Sequence, residues 1–424
     1  MLKTWGNEHI LALRVRIGRR KKSLKAFSFV HAADLHLGYS QYGLETRRED
    51  FERVFQELVD KTIDLSPDFM IIAGDLFHHA RPSNVTLEKT IKNFSRLREA
   101  GIPVLTVDGS HDSAPNTITG TILHPLDSAG LIYHLPRHEG ACWRKPDCCY
   151  VYGVPNFRTR HKTEESLPIF MEKNKPTPNP SLFNVFVLHM AIDLPSVTPP
   201  YIEAEVPPEL VPEGFDYYAA GHVHKTFSEN FKTGTLVYSG CIETVDYEEA
   251  DNPKGFFHVR VDEKGSFSPE FLKLESPRKF IIREQDFEGL SPQKITERTI
   301  RLVKEVDEEG AIIVPVLKGV LPAETSRSEV DISQIKAAAE KALLVHPVVL
   351  LREKEVSDEV VRSIFESEFK DMRTKAFEYF MQIFSDRYSS LEVEKMAQAA
   401  VNLIEPLTKK QDEKVKQVLT ELTQ

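Results

Sequence analysis

A chain of 424 residues, 41% hydrophobic and 28% charged, is long enough for one large core and one or two small domains. Its formal net charge of −10 argues against a nucleic-acid coat protein while leaving room for a local basic surface, and no apolar run approaches the roughly 20 residues of a membrane span. Cys142, Cys148, Cys149 and Cys241 form no pair of Cys-x-x-Cys motifs, which speaks against a zinc ribbon and for free thiols in a reducing compartment.

Residues 1–25 carry Lys3, Arg14, Arg16, Arg19, Arg20, Lys21, Lys22 and Lys25 against one acid, Glu8. Such an arm could touch a phosphate backbone or be a plain tail, and it lacks the apolar core of a secretory signal. The first strand, Phe27-Ser28-Phe29-Val30, runs into His31-Ala32-Ala33-Asp34-Leu35-His36, and residues 49–63 follow with apolar positions at helical spacing.

The stretch that organises the chain comes next, where Met70-Ile71-Ile72-Ala73 stops at Gly74-Asp75 and continues Leu76-Phe77-His78-His79. Four apolar residues in a row suit a strand covered on both faces, and the Gly-Asp step turns the chain with its carboxylate at the strand's C-terminal edge. Ligands of open α/β sheets collect at that edge. By itself the aspartate reads more readily as a turn former than as a ligand.

A helix at residues 85–97 leads to Val104-Leu105-Thr106-Val107-Asp108-Gly109-Ser110-His111-Asp112, which repeats the pattern of strand followed by polar ligand types. Two more repeats are Val185-Phe186-Val187-Leu188-His189 and Tyr217-Tyr218-Ala219-Ala220-Gly221-His222-Val223-His224, making five strand ends of one kind. Buried His and Asp need partners, and a metal supplies them together. Further strands at residues 236–239 and 256–261 imply a second sheet packed on the first.

From residue 275 the pattern changes to a strand at 279–283, a helix opened by Ser291-Pro292, a strand at 311–320, a helix at 332–344 and a strand at 348–351. After Ser357 it is helical, with Val360, Ile364, Phe365, Phe369, Met372, Phe377, Phe380, Ile383 and Phe384 forming an apolar stripe that needs a partner surface.

The ordered set Asp34-x-His36, Gly74-Asp75, Gly109-Ser110-His111-Asp112, His189 and Gly221-His222-x-His224 resembles the calcineurin-like metallophosphoesterases. More narrowly, Asp34-Leu35-His36-Leu37-Gly38-Tyr39, Gly74-Asp75-Leu76-Phe77-His78 with Arg81-Pro82-Ser83, Gly221-His222-Val223-His224-Lys225, Tyr238-Ser239-Gly240 and Lys254-Gly255-Phe256 resemble the meiotic recombination 11 (SbcD-like) nucleases of double-strand-break repair. The resemblance covers roughly residues 26 to 290.

It implies an α/β fold, a calcineurin-like four-layer α-β-β-α sandwich at residues 26–274, a small α/β capping and DNA-binding domain at 275–352, and a helical region at 353–424. Those last helices would dock on the coiled-coil base of an SMC-like ATPase (radiation-sensitivity 50, SbcC-like), the other reading being that they pack on this chain's own capping domain. The extension at 1–25 precedes the point where the family's first motif normally stands.

By the same resemblance, Asp34, His36, Asp75 and His224 would hold one divalent ion and Asp75, His189 and His222 the other, with Asp75 bridging. Mixed imidazole and carboxylate ligands suit manganese, iron or zinc better than calcium, and the family points to manganese. His111 would stabilise charge at the scissile phosphate or protonate the leaving oxygen, Asp112 would orient His111, and His78 would reach the phosphate. His79 and His31 read as structural or surface residues.

One position departs from the family. Ser110 replaces an asparagine whose amide oxygen ligates the second ion, and a hydroxyl is shorter and a weaker ligand. A modified working site, a site needing high manganese, and a DNA-binding scaffold with poor chemistry all remain open. Because the six other ligands, His111 and Asp112 are present, retained activity is the expectation.

The function implied is a two-metal DNA nuclease, a 3′→5′ exonuclease on duplex ends and an endonuclease on single strands. It would be a homodimer paired through helices around residues 81–98, working in the cytoplasm at the nucleoid with no membrane partner. The alternatives are a catalytically weakened end-binding scaffold and another calcineurin-like phosphodiesterase.

Overall fold

The computed structural model describes residues 24–113, 120–198, 203–323, 325–353, 369–385, 390–408 and 412–422. The basic arm up to residue 23 and Val360, Ile364 and Phe365 of the C-terminal stripe lie outside the described residues. Two compact units result, one of Met1–Ile282, Val306–Val314 and Glu340–Leu344, the other of Arg283–Glu305, Pro315–Ala339 and Val345–Gln424.

The first unit contains two six-stranded sheets. In one, β1 (Phe27–Ala32), β2 (Phe69–Ile72), β3 (Val104–Thr106) and β4 (Tyr133–His134) run parallel, and β11 (Gly255–Val261) and β12 (Phe267–Lys273) extend it antiparallel beyond β1. In the other, the order is β5 (Cys142–Lys145), β6 (Cys149–Gly153), β7 (Phe183–His189), β8 (Tyr217–Gly221), β10 (Gly234–Tyr238) and β9 (Phe227–Phe231), with β6, β7, β8 and β10 parallel.

Alternation along the strands makes three apolar layers from these two sheets. Phe29, Phe69 and Ile71 meet Val151, Val185, Tyr217 and Val237 in one buried cluster between the sheets, with the Phe29 and Phe69 rings stacked at 5.1 Å and Tyr217 edge-on to Phe29 at 5.3 Å. The opposite positions, Val30, Met70 and Ile72, pack on Phe55 and Leu58 of α1 (Glu45–Leu65) and Phe94 of α2 (Asn84–Glu99). On the far side Phe186, Leu188 and Tyr218 cluster with Leu167 of α4 (Arg160–Asn174). The layers are therefore helix, sheet, sheet, helix. A short α3 (Leu123–Ser128) adds Leu123 and Leu126 to the first helical layer.

The strand at 256–261 does not join the second sheet as its sequence position suggested. It pairs antiparallel with β1, Phe29 against Val259, so that Phe257, Val259 and Val261 face the inter-sheet core while Phe256 faces the helices. A largely buried strand that exposes only Arg260 fits beside β1 as well as it would in the second sheet, and sequence alone does not choose.

A separate small sheet is built from β13 (Phe280–Asp286), β14 (Ile312–Val320), β15 (Leu344–Val345) and β16 (Val348–Arg352), with α5 (Pro292–Glu305) and α6 (Ile332–Lys336). The helix expected over 332–344 ends at Lys336. The Asp307 carboxylate accepts the backbone N–H groups of Glu340 and Ala342 at 2.8 and 2.9 Å, offering this segment partners that a helix would have to forgo. Helices α7 (Phe369–Ser385), α8 (Ser390–Thr408) and α9 (Asp412–Leu422) follow, α8 packing on both of the others.

His31 lies wholly inside β1, where Nδ1 shares a 3.0 Å hydrogen bond with the Tyr217 hydroxyl. Burial holds its imidazole down at about 3, against an ordinary 6.5. Its folded pKa is below its unfolded one, so its contribution is present above pH 6.5 and is lost as pH falls toward 3. Within that window the unfolded chain binds one proton that the folded chain does not, and stability should fall by about 1.4 kcal/mol for each pH unit. Urea unfolding of the chelated protein from pH 7 to 4 should show this slope as the difference between wild type and His31→Phe, about one proton.

Candidate metal centre

Strand register assembles the site. Ala32 pairs with Ile72, Ile72 with Thr106 and His189 with Gly221, so the parallel strands of each sheet end level and their following residues converge. The loops then interlace, with the N–H groups of Leu35 and His36 donating to the Asp75 carbonyl at 2.9 and 3.0 Å and the His222 N–H donating to the Asp34 carboxylate at 3.0 Å. Asp34, His36, Asp75 and His222 take left-handed backbone angles, with φ of 55, 45, 47 and 88°. Each such residue costs about 1 kcal/mol or more, and the cost falls on four of the expected ligands. Gly109 is required by space, since a Cβ there would lie 2.0 Å from Asp75 Oδ1.

The structure brings Asp34, His36 and His224 into one ligand-like triad and Asp75, His189 and His222 into another. His36 Nε2 and His224 Nε2 face each other at 3.1 Å, and His224 Nε2 lies 3.7 Å from Asp34 Oδ1. His189 Nε2 stands 3.1 Å from Asp75 Oδ2 and 3.8 Å from Asp34 Oδ1, and His36 Nε2 lies 3.9 Å from Asp75 Oδ2. Asp75 therefore borders both triads. Asp34, His36 and His189 are fully buried and Asp75 is 1% exposed.

The donor set fits divalent ions. His189 Nε2, although within 3.1 Å of a carboxylate oxygen, makes no hydrogen bond, and it is buried. The other nitrogens of these rings are already committed: His189 Nδ1 donates to the Ala73 carbonyl at 2.7 Å and His224 Nδ1 to Glu249 Oε1 at 2.6 Å. His36 Nδ1 faces His78 Nδ1 at 3.3 Å. Rings held in this way turn Nε2 lone pairs toward the carboxylates, as metal-ligating histidines do.

Charge in the centre follows the same logic. Burial opposes a charged His189, but the carboxylates of Asp75 and Asp34 outweigh it and raise this imidazole to about 10. Burial likewise opposes the Asp75 charge, and His189, His36 and His111 override it, holding the carboxyl well below its usual range. Burial, with the neighbouring His189, pushes His222 down to about 3. A divalent ion would replace the proton that His189 carries without it.

At the exposed rim, the His111 N–H donates to Asp75 Oδ1 at 2.8 Å and its Nδ1 donates to the His78 carbonyl at 2.9 Å, leaving Nε2 as the ring's free nitrogen. His78 stacks on Tyr39 at 3.7 Å, and burial with His111 and His79 beside it lowers its imidazole to about 3. The Ser110 hydroxyl donates to Asp75 Oδ2 at 3.2 Å, which puts it against the shared carboxylate. His79 is exposed, its ring 4.6 Å from that of His78, and His31 lies away from the centre in β1.

Asp112 does not orient His111. Its carboxylate accepts the N–H groups of Gly109 and Leu76, each at 2.7 Å, and of Phe77 at 3.3 Å, tying the loop after β3 to the loop after β2. A backbone carbonyl took the role expected of Asp112. Two acids were missed by sequence reasoning, the half-buried Glu249 behind His224 and the buried Glu205, whose Oε2 is 3.4 Å from His222 Nε2. Neither belongs to a strand-end motif, and only their place in space marks them.

The model of the calcineurin-like phosphoesterase family matches residues 27–226. The chain is 30% identical over 337 residues to the DNA double-strand break repair protein Mre11 of Methanopyrus kandleri, covering 76% of this chain and 70% of that protein. It is 29% identical over 338 residues to the protein of the same name from Archaeoglobus fulgidus, covering 74% and 71%. Against the Mre11 protein of Saccharolobus solfataricus the identity is 24% over 408 residues, with 93% of this chain and 98% of that one covered. Among the described residues no helix is long and apolar enough to cross a membrane.

Proposed function

Because the chain belongs to the Mre11 family of calcineurin-like phosphoesterases and is a metal-dependent phosphodiesterase, we propose that its substrate is DNA and that it is a manganese-dependent nuclease of double-strand-break repair. The observation that carries this reading is Asp75, fully enclosed between the two triads with His111 on its Oδ1. Asp34, His36 and His224 would hold one ion, His189 and His222 with Ser110 the other, and Asp75 both. When bound, two such ions supply an activated water and neutralise phosphate oxygens. Manganese suits a donor set of imidazoles and carboxylates.

The chain's own residues do the rest. His111, with Nδ1–H committed to the His78 carbonyl, presents Nε2 to the scissile phosphate and, as the imidazolium, hands the Nε2 proton to the leaving oxygen or stabilises its charge. His78, neutral and stacked on Tyr39, contacts the phosphate beside it. Asp112 keeps the two loops in register, so that His111 stays over Asp75. The reaction is 3′→5′ removal of nucleotides at duplex ends and endonucleolytic cutting of single strands.

The sheet and helices of residues 275–352 act as a capping domain over DNA, and α7 to α9 dock an SMC-like coiled-coil ATPase. The similarity that runs through 93% of the chain supports assigning these parts to DNA ends rather than to a small phosphate ester. A second copy pairs through α2, where Val85 and Ile91 are exposed. The protein works in the cytoplasm at the nucleoid.

A second reading, an end-binding scaffold with weak chemistry, rests on Ser110. Cleavage of end-labelled duplex DNA and of single-stranded circles in manganese, magnesium or chelator separates the two. Wild type should shorten duplex ends in manganese and not in chelator, and Ser110→Asn should reach the same rate at lower manganese. No cleavage by wild type, with activity appearing in Ser110→Asn, would replace the nuclease by the scaffold.

A further inference from the structure

We infer that Glu249 is the positioning residue that sets the affinity of the first ion position, by fixing which nitrogen of His224 is bare. The inference deepens the two-ion reading above and rests on it.

Glu249 stands 25 residues beyond His224, at the end of a short turn over Tyr247–Glu249 whose first N–H groups are capped by Asp246. Its Oε1 accepts from His224 Nδ1 at 2.6 Å. With Nδ1 protonated and held, the lone pair is on Nε2, the atom that faces His36 Nε2 at 3.1 Å and Asp34 Oδ1 at 3.7 Å. Without the carboxylate the ring is free to carry its proton on Nε2 or to rotate, and either removes a ligand. A carboxylate behind a ligating histidine also raises its basicity.

Glu249 is itself held. Lys254, 6% exposed, donates through Nζ to the Glu249 carbonyl at 3.0 Å and lies 3.3 Å from Cys241 Sγ, while that sulfur is 3.8 Å from Glu249 Oε2. The other side of the same loop is clamped to α1, to the turn just before it and to the chain beyond β12. Arg47 Nη2 donates to the Thr244 carbonyl at 3.0 Å, Gln41 Nε2 to the Val245 carbonyl at 2.7 Å, and the Arg278 N–H to Glu243 Oε2 at 2.9 Å.

The two triads have separate supports. His189 leans on the Ala73 carbonyl at 2.7 Å, an acceptor that comes with β2 and no side-chain change removes, and Glu205 stands 3.4 Å from His222. His224 depends on a side chain delivered by a separate loop. Loading of the Asp34–His36–His224 position is therefore separable from loading of the other.

The test is manganese titration of the chelated full-length protein, with free ion read by electron paramagnetic resonance. Wild type should take up two ions. Glu249→Ala should weaken one step by about 10- to 100-fold, the usual effect of losing such a partner, and leave the other unchanged. Glu249→Gln, whose amide oxygen still accepts from Nδ1, should recover most of the loss, and Glu249→Ala should add nothing in a His224→Ala background. In wild type, 15N imidazole resonances should give His224 as the Nδ1–H tautomer, a readout independent of whether any variant folds.

The opposite tautomer, an unaffected Glu249→Ala, equal weakening of both steps, or Glu249→Gln as poor as Glu249→Ala would overturn the role given to Glu249. A wild type that binds fewer than two ions would overturn the two-ion reading instead.

Discussion

Asp75→Asn should lower the rate of DNA cleavage by at least about 10³-fold, because in the proposed two-ion reading the several kcal/mol of charge stabilisation that bound ions supply would depend on a carboxylate that both positions share. Asparagine matches aspartate in shape, so the fold should survive the change. It fails as a substitute for reasons visible atom by atom. Oδ1 accepts the His111 N–H at 2.8 Å and Oδ2 accepts the Ser110 hydroxyl at 3.2 Å while standing 3.1 Å from His189 Nε2. An amide can keep its oxygen on only one side. If the NH₂ faces His111, two donors meet and the rim is pushed away; if it faces His189, the second triad has a donor where an acceptor was. Loss of the negative charge also releases the proton held on His189, whose imidazole is raised mainly by this carboxylate against its burial. Manganese uptake and single-turnover cleavage of labelled duplex, measured together, check the prediction. Near-normal cleavage would mean that Asp75 is not the shared ligand.

The same residue shows why so much of the centre could be read in advance. An apolar strand that ends in Gly-Asp, repeated with His or Asp at four other strand ends, is a local pattern, and parallel register turns local patterns into one site: Ala32 opposite Ile72, Ile72 opposite Thr106, His189 opposite Gly221. Side-chain partners are another matter. Nothing local says that His111 Nδ1 will find the His78 carbonyl rather than the carboxylate next to it in sequence, nor that Asp112 will turn instead to the N–H groups of Leu76 and Gly109. Glu249 and Glu205 were invisible for the same reason, as carboxylates in loops whose meaning depends on what lies across a gap. The strand at 256–261 and the shortened helix at 332–336 were decided by competition between equally good local choices, a neighbouring β1 in one case and the Asp307 carboxylate in the other. Periodicity and motif order survive translation into space; the choice of hydrogen-bond partner does not.

His111→Ala should separate binding of ions from the chemistry they support. The backbone N–H of residue 111 donates to Asp75 Oδ1, and alanine keeps that bond, so manganese uptake should match wild type. What disappears is the imidazole with Nδ1 fixed on the His78 carbonyl, and a positioned acid or base of this kind contributes about 10²- to 10⁴-fold. The kcat for DNA should fall by that factor with little change in KM. The size of the fall should depend on the leaving group. A deoxyribose oxygen leaves poorly unless protonated, whereas the nitrophenolate of bis(p-nitrophenyl) phosphate leaves as an anion and needs no proton. If His111 serves as the acid, His111→Ala should be severely impaired on DNA and mildly on the nitrophenyl ester; if it stabilises charge on the phosphoryl oxygens, both substrates should suffer alike. Equal activity of His111→Ala and wild type on DNA would remove His111 from the reaction altogether and leave its ring a structural cover over the two triads.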